Sequence, residues 1–167
     1  KMLYDYSLIE IVAQRAFWAC VIFVFIFSLL GRLKEIKQAL SSPKHIALFM
    51  LCAILVVTNW LTFVYALKID QLIQSALGYY IYPLIAAALG YFVLGERIEK
   101  MTLIALMLAF AAVLLKASAL SDFPWIALCL GSTFAVYAII RKQLAVQSDT
   151  GTAIETIMLA PLAILYF

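Results

Sequence analysis

The chain has 167 residues, 67% of them apolar and only 13% charged, with 12 Lys plus Arg against 9 Asp plus Glu, and its mean hydropathy is +1.09. A soluble domain is about half apolar and a quarter charged, so an ordinary soluble fold is excluded. A net charge of +3 carried by loops points to membrane orientation and excludes a nucleic-acid-binding surface. The apolar runs are continuous and do not alternate, which excludes a membrane β-barrel. The composition therefore predicts an all-α integral membrane protein, a polytopic helical bundle.

Six transmembrane segments are expected in chain order. The first covers about 8–30, with Glu10 and Arg15 in its first half, and a basic loop, GRLKEIKQALSSPKH, follows it. The second covers about 46–67, interrupted by Thr58, Asn59 and Trp60. The third is the run 72–97, LIQSALGYYIYPLIAAALGYFVLGER, with Pro83 near its middle and Glu96 and Arg97 at its end. The fourth, about 101–115, is short and strongly apolar; the fifth, about 125–140, starts after Pro124, a residue suited to a helix start. The sixth begins near Thr152 and carries Glu155 and Pro161. The sequence lacks a leading Met unless Met2 serves, and it stops at Phe167 inside an apolar run; it reads as a piece of a longer transporter.

The third segment is expected to organise the rest. A proline inside a helix removes a donor and breaks the bond to the carbonyl four residues earlier, here that of Tyr79. Hydrocarbon cannot satisfy a bare carbonyl, which must face other helices, water or a ligand. Ser75, Tyr79, Tyr82, Ala86 and Gly90 share one helical face. That face reads either as the wall of a transport pathway or as a packing surface with a tolerated kink.

Short loops make neighbouring segments antiparallel. One side then holds Arg32, Lys34, Lys37, Lys44, Arg97, Lys100, Arg141 and Lys142; the other holds Lys1, Lys68 and Lys116, with Arg15 embedded below it. The positive-inside rule places the loops 31–45, 95–101 and 141–151 in the cytoplasm and the N-terminal end outside, which implies an odd number of spans upstream if the true N-terminus is inside. Ile-Glu recurs just inside the first and sixth segments, at Glu10 and Glu155. Those segments enter from opposite sides, as in the inverted repeats common among secondary transporters.

Glu10, Arg15 and Glu155 are the charges placed within segments. Charge at depth is costly and marks a pathway when it faces the bundle interior. Arg15 reads as a substrate or carboxylate partner, or as half of a structural ion pair. Glu10 and Glu155 read as pathway carboxylates, or as first-turn residues suited to the helix dipole. Asn59 reads as interhelical glue or a substrate contact, Trp60 as packing, and Thr58, Thr62 and Tyr65 as a hydroxylic stripe. Cys20, Cys52 and Cys129 lie inside apolar runs without disulfide or metal spacing, and His45 is the single histidine. No nucleophile-base pair or phosphate loop is present, so no enzyme activity, cofactor or metal is expected.

The runs NWLTFVYAL from Asn59, SALGYYIYPL from Ser75, LGYFVLGER from Leu89, VYAIIRKQLAV from Val136 and TGTAIETIMLAPLA from Thr150 together closely resemble the RarD family. These are EamA-type permeases of the drug/metabolite transporter superfamily, named for chloramphenicol sensitivity. The resemblance implies a ten-helix fold of two inverted five-helix repeats. Residues 1–118 would form most of the first repeat (helices two to five, with helix one missing) and 119–167 the start of the second (helices six and seven). Its motif positions here are Glu10, Arg15, Asn59, Trp60, Ser75, Gly78, Tyr79, Pro83, Gly90, Glu96, Arg97 and Glu155.

The function expected is secondary transport of a small organic metabolite or drug across the bacterial inner membrane by alternating access, coupled to protons or a counter-substrate. Glu10 and Glu155 would be protonatable, Arg15 would hold a carboxylate or pair with Glu10, and Asn59, Ser75 and Tyr79 would line the site. Glu96 and Arg97 would be a turn anchor or a gate. Partners are lipid and a small-molecule substrate, with a homodimer left open and no nucleic acid. The alternative is a non-transporting assembly or regulatory subunit.

Overall fold

The computed structural model of the protein describes residues 6–120 and 122–166; Lys1, Met2 and Phe167 lie outside them. The described residues form seven helices and no strand: α1 Leu8–Leu29, α2 Leu33–Ala39, α3 Pro43–Lys68, α4 Leu72–Leu94, α5 Lys100–Ser118, α6 Trp125–Leu144 and α7 Ser148–Ile164. Five of them, α1, α3, α4, α5 and α6, are long and apolar enough to cross a membrane. With 17 residues, α7 is at the short end of what spans.

Local chemistry sets the boundaries. Ser7 caps α1, its hydroxyl accepting the Glu10 backbone N–H at 3.1 Å. Gly95 takes the left-handed conformation, φ +67°, that closes α4, and the Glu96 N–H returns to the Gly90 carbonyl at 3.1 Å.

Two boundaries differ from those expected. The basic loop after α1 contains α2, LKEIKQA, a short run of good helix formers tied by Arg32 and Glu35 at i,i+3. The polar stretch Thr58–Trp60 lies within the second segment as expected, and α3 runs unbroken through it, because the Asn59 amide bonds outside its own helix and does not compete for the local backbone. The sixth segment starts at Ser148 instead of Thr152. Asp149 takes the first turn, accepting the Thr150 N–H at 2.7 Å, which moves Glu155 about one turn deeper.

The chain divides into two compact units. Unit one comprises 1–57 and 140–167, and unit two comprises 58–139. In unit one, α1 and α7 lie side by side and antiparallel. Ser7 meets the Tyr166 hydroxyl at 2.6 Å at one end, and Arg32, just past α1, meets Asp149 at 2.7 Å at the other. Phe27, Phe49, Cys52, Ala153 and Ile154 are almost fully enclosed there.

Unit two has α4 against α5, with Leu77, Ile81, Val113 and Ala127 as one cluster and Ala66, Ile126 and Leu130 as another. There α4 and α6 approach closely. A Cβ at Gly78 would stand 2.8 Å from Leu130 Cβ, and one at Gly131 would stand 2.8 Å from Ile81 Cγ2. Small residues at such crossings let backbones meet where no hydrophobic effect drives helices together. The apolar surface of α5, with Met107, Leu108, Phe110 and Leu115 exposed, suits contact with lipid tails.

Candidate functional site

Unit one holds two ionic layers near the start of α7. The inner layer is Glu155, 2% exposed, on the eighth residue of α7 and roughly 10 Å from its start. Arg141 faces it from the last turns of α6, Nε to Oε1 3.5 Å. Arg141 Nη2 donates to the Ser148 carbonyl at 3.0 Å and the Gln147 carbonyl at 3.4 Å. Its guanidinium carbon sits 5.8 Å from the Phe49 ring centre, close enough for a cation–π contact. Gly151, one turn before Glu155, leaves the space the guanidinium occupies. Arg141 Nη1 is buried and has no hydrogen-bond partner among the described residues.

The outer layer is centred on Arg32. Its Nε and Nη2 donate to both oxygens of Glu35 at 2.7 and 2.8 Å, Nη1 to Asp149 at 2.7 Å and Nη2 to Gln147 at 2.8 Å. Thr150 donates to Glu35 at 3.0 Å. Hydrogen bonds from Arg32 hold both carboxyls below the usual carboxylate range; the Thr150 hydroxyl adds to this at Glu35 and the Thr150 N–H adds to it at Asp149. Arg32 is pushed further up by Glu35 and then Asp149. All three side chains are partly exposed, so the layer is a hydrated clasp between the end of α1, α2 and the start of α7.

Unit two carries a different polar arrangement. Asn59 Nδ2 donates to the Leu130 carbonyl and to Thr133 Oγ1, each at 3.0 Å. Thr62 returns its hydroxyl to the Thr58 carbonyl at 2.8 Å. The space among Asn59, Gly78, Tyr79, Tyr82, Leu130 and Phe134 is about 10 Å³, room for no more than one water molecule. Aromatic rings close it, with Tyr82 and Phe134 centred 5.2 Å apart. A groove of about 700 Å³ among α4, α5 and α6 is lined by side chains such as Leu84, Phe92, Met107 and Phe110 and offers a ligand almost nothing but hydrocarbon.

The residues singled out from sequence fall into three groups. Glu155 is brought to a buried cation, though not in the first turn where it was expected. Asn59, Ser75 and Gly78 are turned inward in unit two, and Ser75 Oγ is buried without a hydrogen-bond partner among the described residues. Arg15 and Pro83 are at the surface, Tyr79 is 59% exposed, and α4 continues through Pro83. The face from Ser75 to Gly90 is therefore buried only at its ends, with Tyr82 and Ala86 half-buried between them. Glu10 is half-buried in the first turn of α1, and Trp60 is half-buried in α3. Glu96 folds back on α4, where a Cβ at Gly90 would lie 2.9 Å from Glu96 Oε2, and Arg97 is exposed.

Arg141 and Arg32 look in the sequence like the orienting charges around them, and only their partners in the fold set them apart. Gly151 was the available signal. Four residues before Glu155, it opens a hole on the same helical face. Among the described residues, no three His, Cys, Asp or Glu side chains converge as a metal site.

A model of the EamA-like transporter family matches residues 1–117. Protein RarD of Salmonella typhi is 37% identical over 166 residues, covering 99% of this chain and 56% of that protein. Protein RarD of Escherichia coli K12 is 34% identical over the same share of each. The chloramphenicol-sensitive protein RarD of Pseudomonas aeruginosa is 27% identical over 161 residues, 93% of this chain and 54% of that protein. The chain spans about half the length of these curated relatives. No solved structure matches it significantly. With the family model covering residues 1–117 of 167, and five helices able to cross a membrane, the chain belongs to the EamA-like transporter family and is a multi-pass membrane protein.

Proposed function

We propose that the protein is a secondary transporter of small organic molecules across the bacterial inner membrane, working by alternating access. The observation that carries this is Glu155, a carboxylate 2% exposed inside an apolar helical protein, set against Arg141. Such a pair is expensive to bury and is weak as a source of stability. A charge that exchanges between a partner in the protein and a partner in the substrate couples binding to conformation.

In this reading the whole transporter is a ten-helix bundle of two inverted repeats, with residues 1–118 in the first and 119–167 in the second. The Arg32 clasp closes the cytoplasmic end. Arg15, Tyr79 and Pro83, exposed on their units, would face the other helices of that bundle. Glu10 and Glu155, in antiparallel helices, would occupy opposite depths and give a proton or counter-substrate its coupling sites. The Pseudomonas relative's name makes chloramphenicol a natural member of the substrate panel.

The test is reconstitution of the full-length protein in liposomes, with uptake of labelled metabolites and chloramphenicol measured with and without a pH gradient. Protein-dependent flux that falls in Glu155→Gln is expected. No protein-dependent flux for any compound in the panel overturns the proposal.

A further inference from the structure

We infer that Arg141 is the anion-binding residue of this site: the transported molecule carries a carboxylate, which takes Arg141 from Glu155. This rests on the transporter reading above. Four features of the structure point to it. The Arg141 side chain is only 10% exposed. Its Nη1 is buried with no hydrogen-bond partner among the described residues, so a donor remains for an incoming acceptor. A planar guanidinium offers paired donors that match a carboxylate's two oxygens.

The second feature is the looseness of the existing pair. Arg141 Nε and Glu155 Oε1 are 3.5 Å apart, whereas Arg32 grips Glu35 with two bonds of 2.7 and 2.8 Å. Strong charge-assisted bonds run at about 2.7–2.9 Å. One arginine in this unit grips its carboxylate through short paired bonds, and the other meets its carboxylate at a longer distance. A ligand carboxylate is chemically the same group as the Glu155 side chain, so it can replace that side chain without leaving the guanidinium charge uncompensated.

The third feature is that the guanidinium is seated. The missing Cβ at Gly151 makes room for it, the Phe49 ring lies beside it, and backbone carbonyls of Gln147 and Ser148 hold Nη2. Preorganisation of this kind is what a binding group needs and a loose surface cation lacks.

The fourth is charge balance. One buried cation neutralises one negative charge. With a monoanionic carboxylate on Arg141 the centre stays neutral when Glu155, buried beside it, takes up one proton as it is released; a doubly charged phosphate would leave an excess negative charge, and a cation would meet the arginine's repulsion.

The experiment is thermal unfolding of the full-length protein in detergent micelles with benzoate or propionate, and with benzamide, ethylammonium or inorganic phosphate as comparators. A ligand of the native state raises apparent stability. The inference expects benzoate and propionate to raise Tm and the comparators not to. Glu155→Gln should bind benzoate about tenfold more tightly if Glu155 holds Arg141 in nine molecules of ten. The double variant Arg141→Gln/Glu155→Gln, which leaves no buried charge at the pair, should unfold cooperatively yet lose the benzoate shift.

No carboxylate-specific shift in the unmodified protein overturns the inference, as does an equal shift by benzamide or a benzoate shift that survives in the double variant. The transport reading is judged separately. If the reconstituted protein moves neutral or cationic compounds and Arg141→Gln leaves that flux intact, the transporter stands and the anion site falls. If nothing is moved while benzoate still binds through Arg141, the reverse holds.

Discussion

Gly151 and Arg141 share one space: a Cβ on residue 151 would coincide with the guanidinium of Arg141. An arginine in the last turn of α6 can reach Glu155 on α7 only because residue 151 has no side chain. The ion pair, the helix start at Ser148 and the glycine are parts of one arrangement.

Gly151→Ala is therefore expected to destabilise the protein even though alanine is the better helix former. The propensity gain is at most about 1 kcal/mol. Overfilling a packed site costs about 1–3 kcal/mol, and here the obstructing group is the buried head of Arg141, with no exposed tail to swing away. The net expectation is a clear drop in Tm in detergent. A rise in Tm would mean the guanidinium does not occupy that recess.

Removing one partner of the inner pair leaves a buried charge without compensation. Arg141→Gln and Glu155→Gln should each cost about 3–5 kcal/mol, and the double variant should recover a large part of that loss. A double-mutant cycle from denaturant unfolding in micelles measures the coupling. Additive losses would show that the two side chains do not interact.

The Asn59 contacts should be worth little by comparison. Interhelical hydrogen bonds between membrane helices average about 0.6 kcal/mol and reach about 1.7. Asn59→Leu removes the bonds to the Leu130 carbonyl and Thr133 and should lower stability by that order. Gly78→Ala, whose Cβ would stand 2.8 Å from Leu130 Cβ, should cost more, about 1–3 kcal/mol, since neither backbone can yield. Thermal unfolding of the two variants side by side tests the ranking.

The outer clasp should respond to acid. Glu35 and Asp149 are held below the usual carboxylate range, chiefly by Arg32. Folded-state values below the unfolded ones mean that the stabilisation is present above the unfolded carboxylate range, about pH 4. It is lost as pH falls through the folded values. Stability of the unmodified protein should thus decline more steeply below about pH 4 than that of Arg32→Gln, in which both carboxyls lose their main partner. Thermal melts at descending pH compare the two slopes; parallel slopes would remove Arg32 as the cause.

The helices were legible in the sequence because a bilayer leaves so few choices. Long apolar runs must be helices when no water is present to satisfy the backbone, so the class, most of the spans and the family likeness could be read in one dimension. Even there, α2 and the true start of α7 escaped, because short charged segments are fixed by partners such as Arg32 and Asp149 that lie far apart in the chain. The site was less legible. Pro83 and Arg15 stood out by residue type alone, yet the structure sets both at the surface. Arg141 looked like any orienting cation beside Lys142, and only the tertiary structure decided between them. Whether a charge is buried depends on what lies across from it: at Arg141 that is a carboxylate and a glycine ten and more residues away, on the next helix.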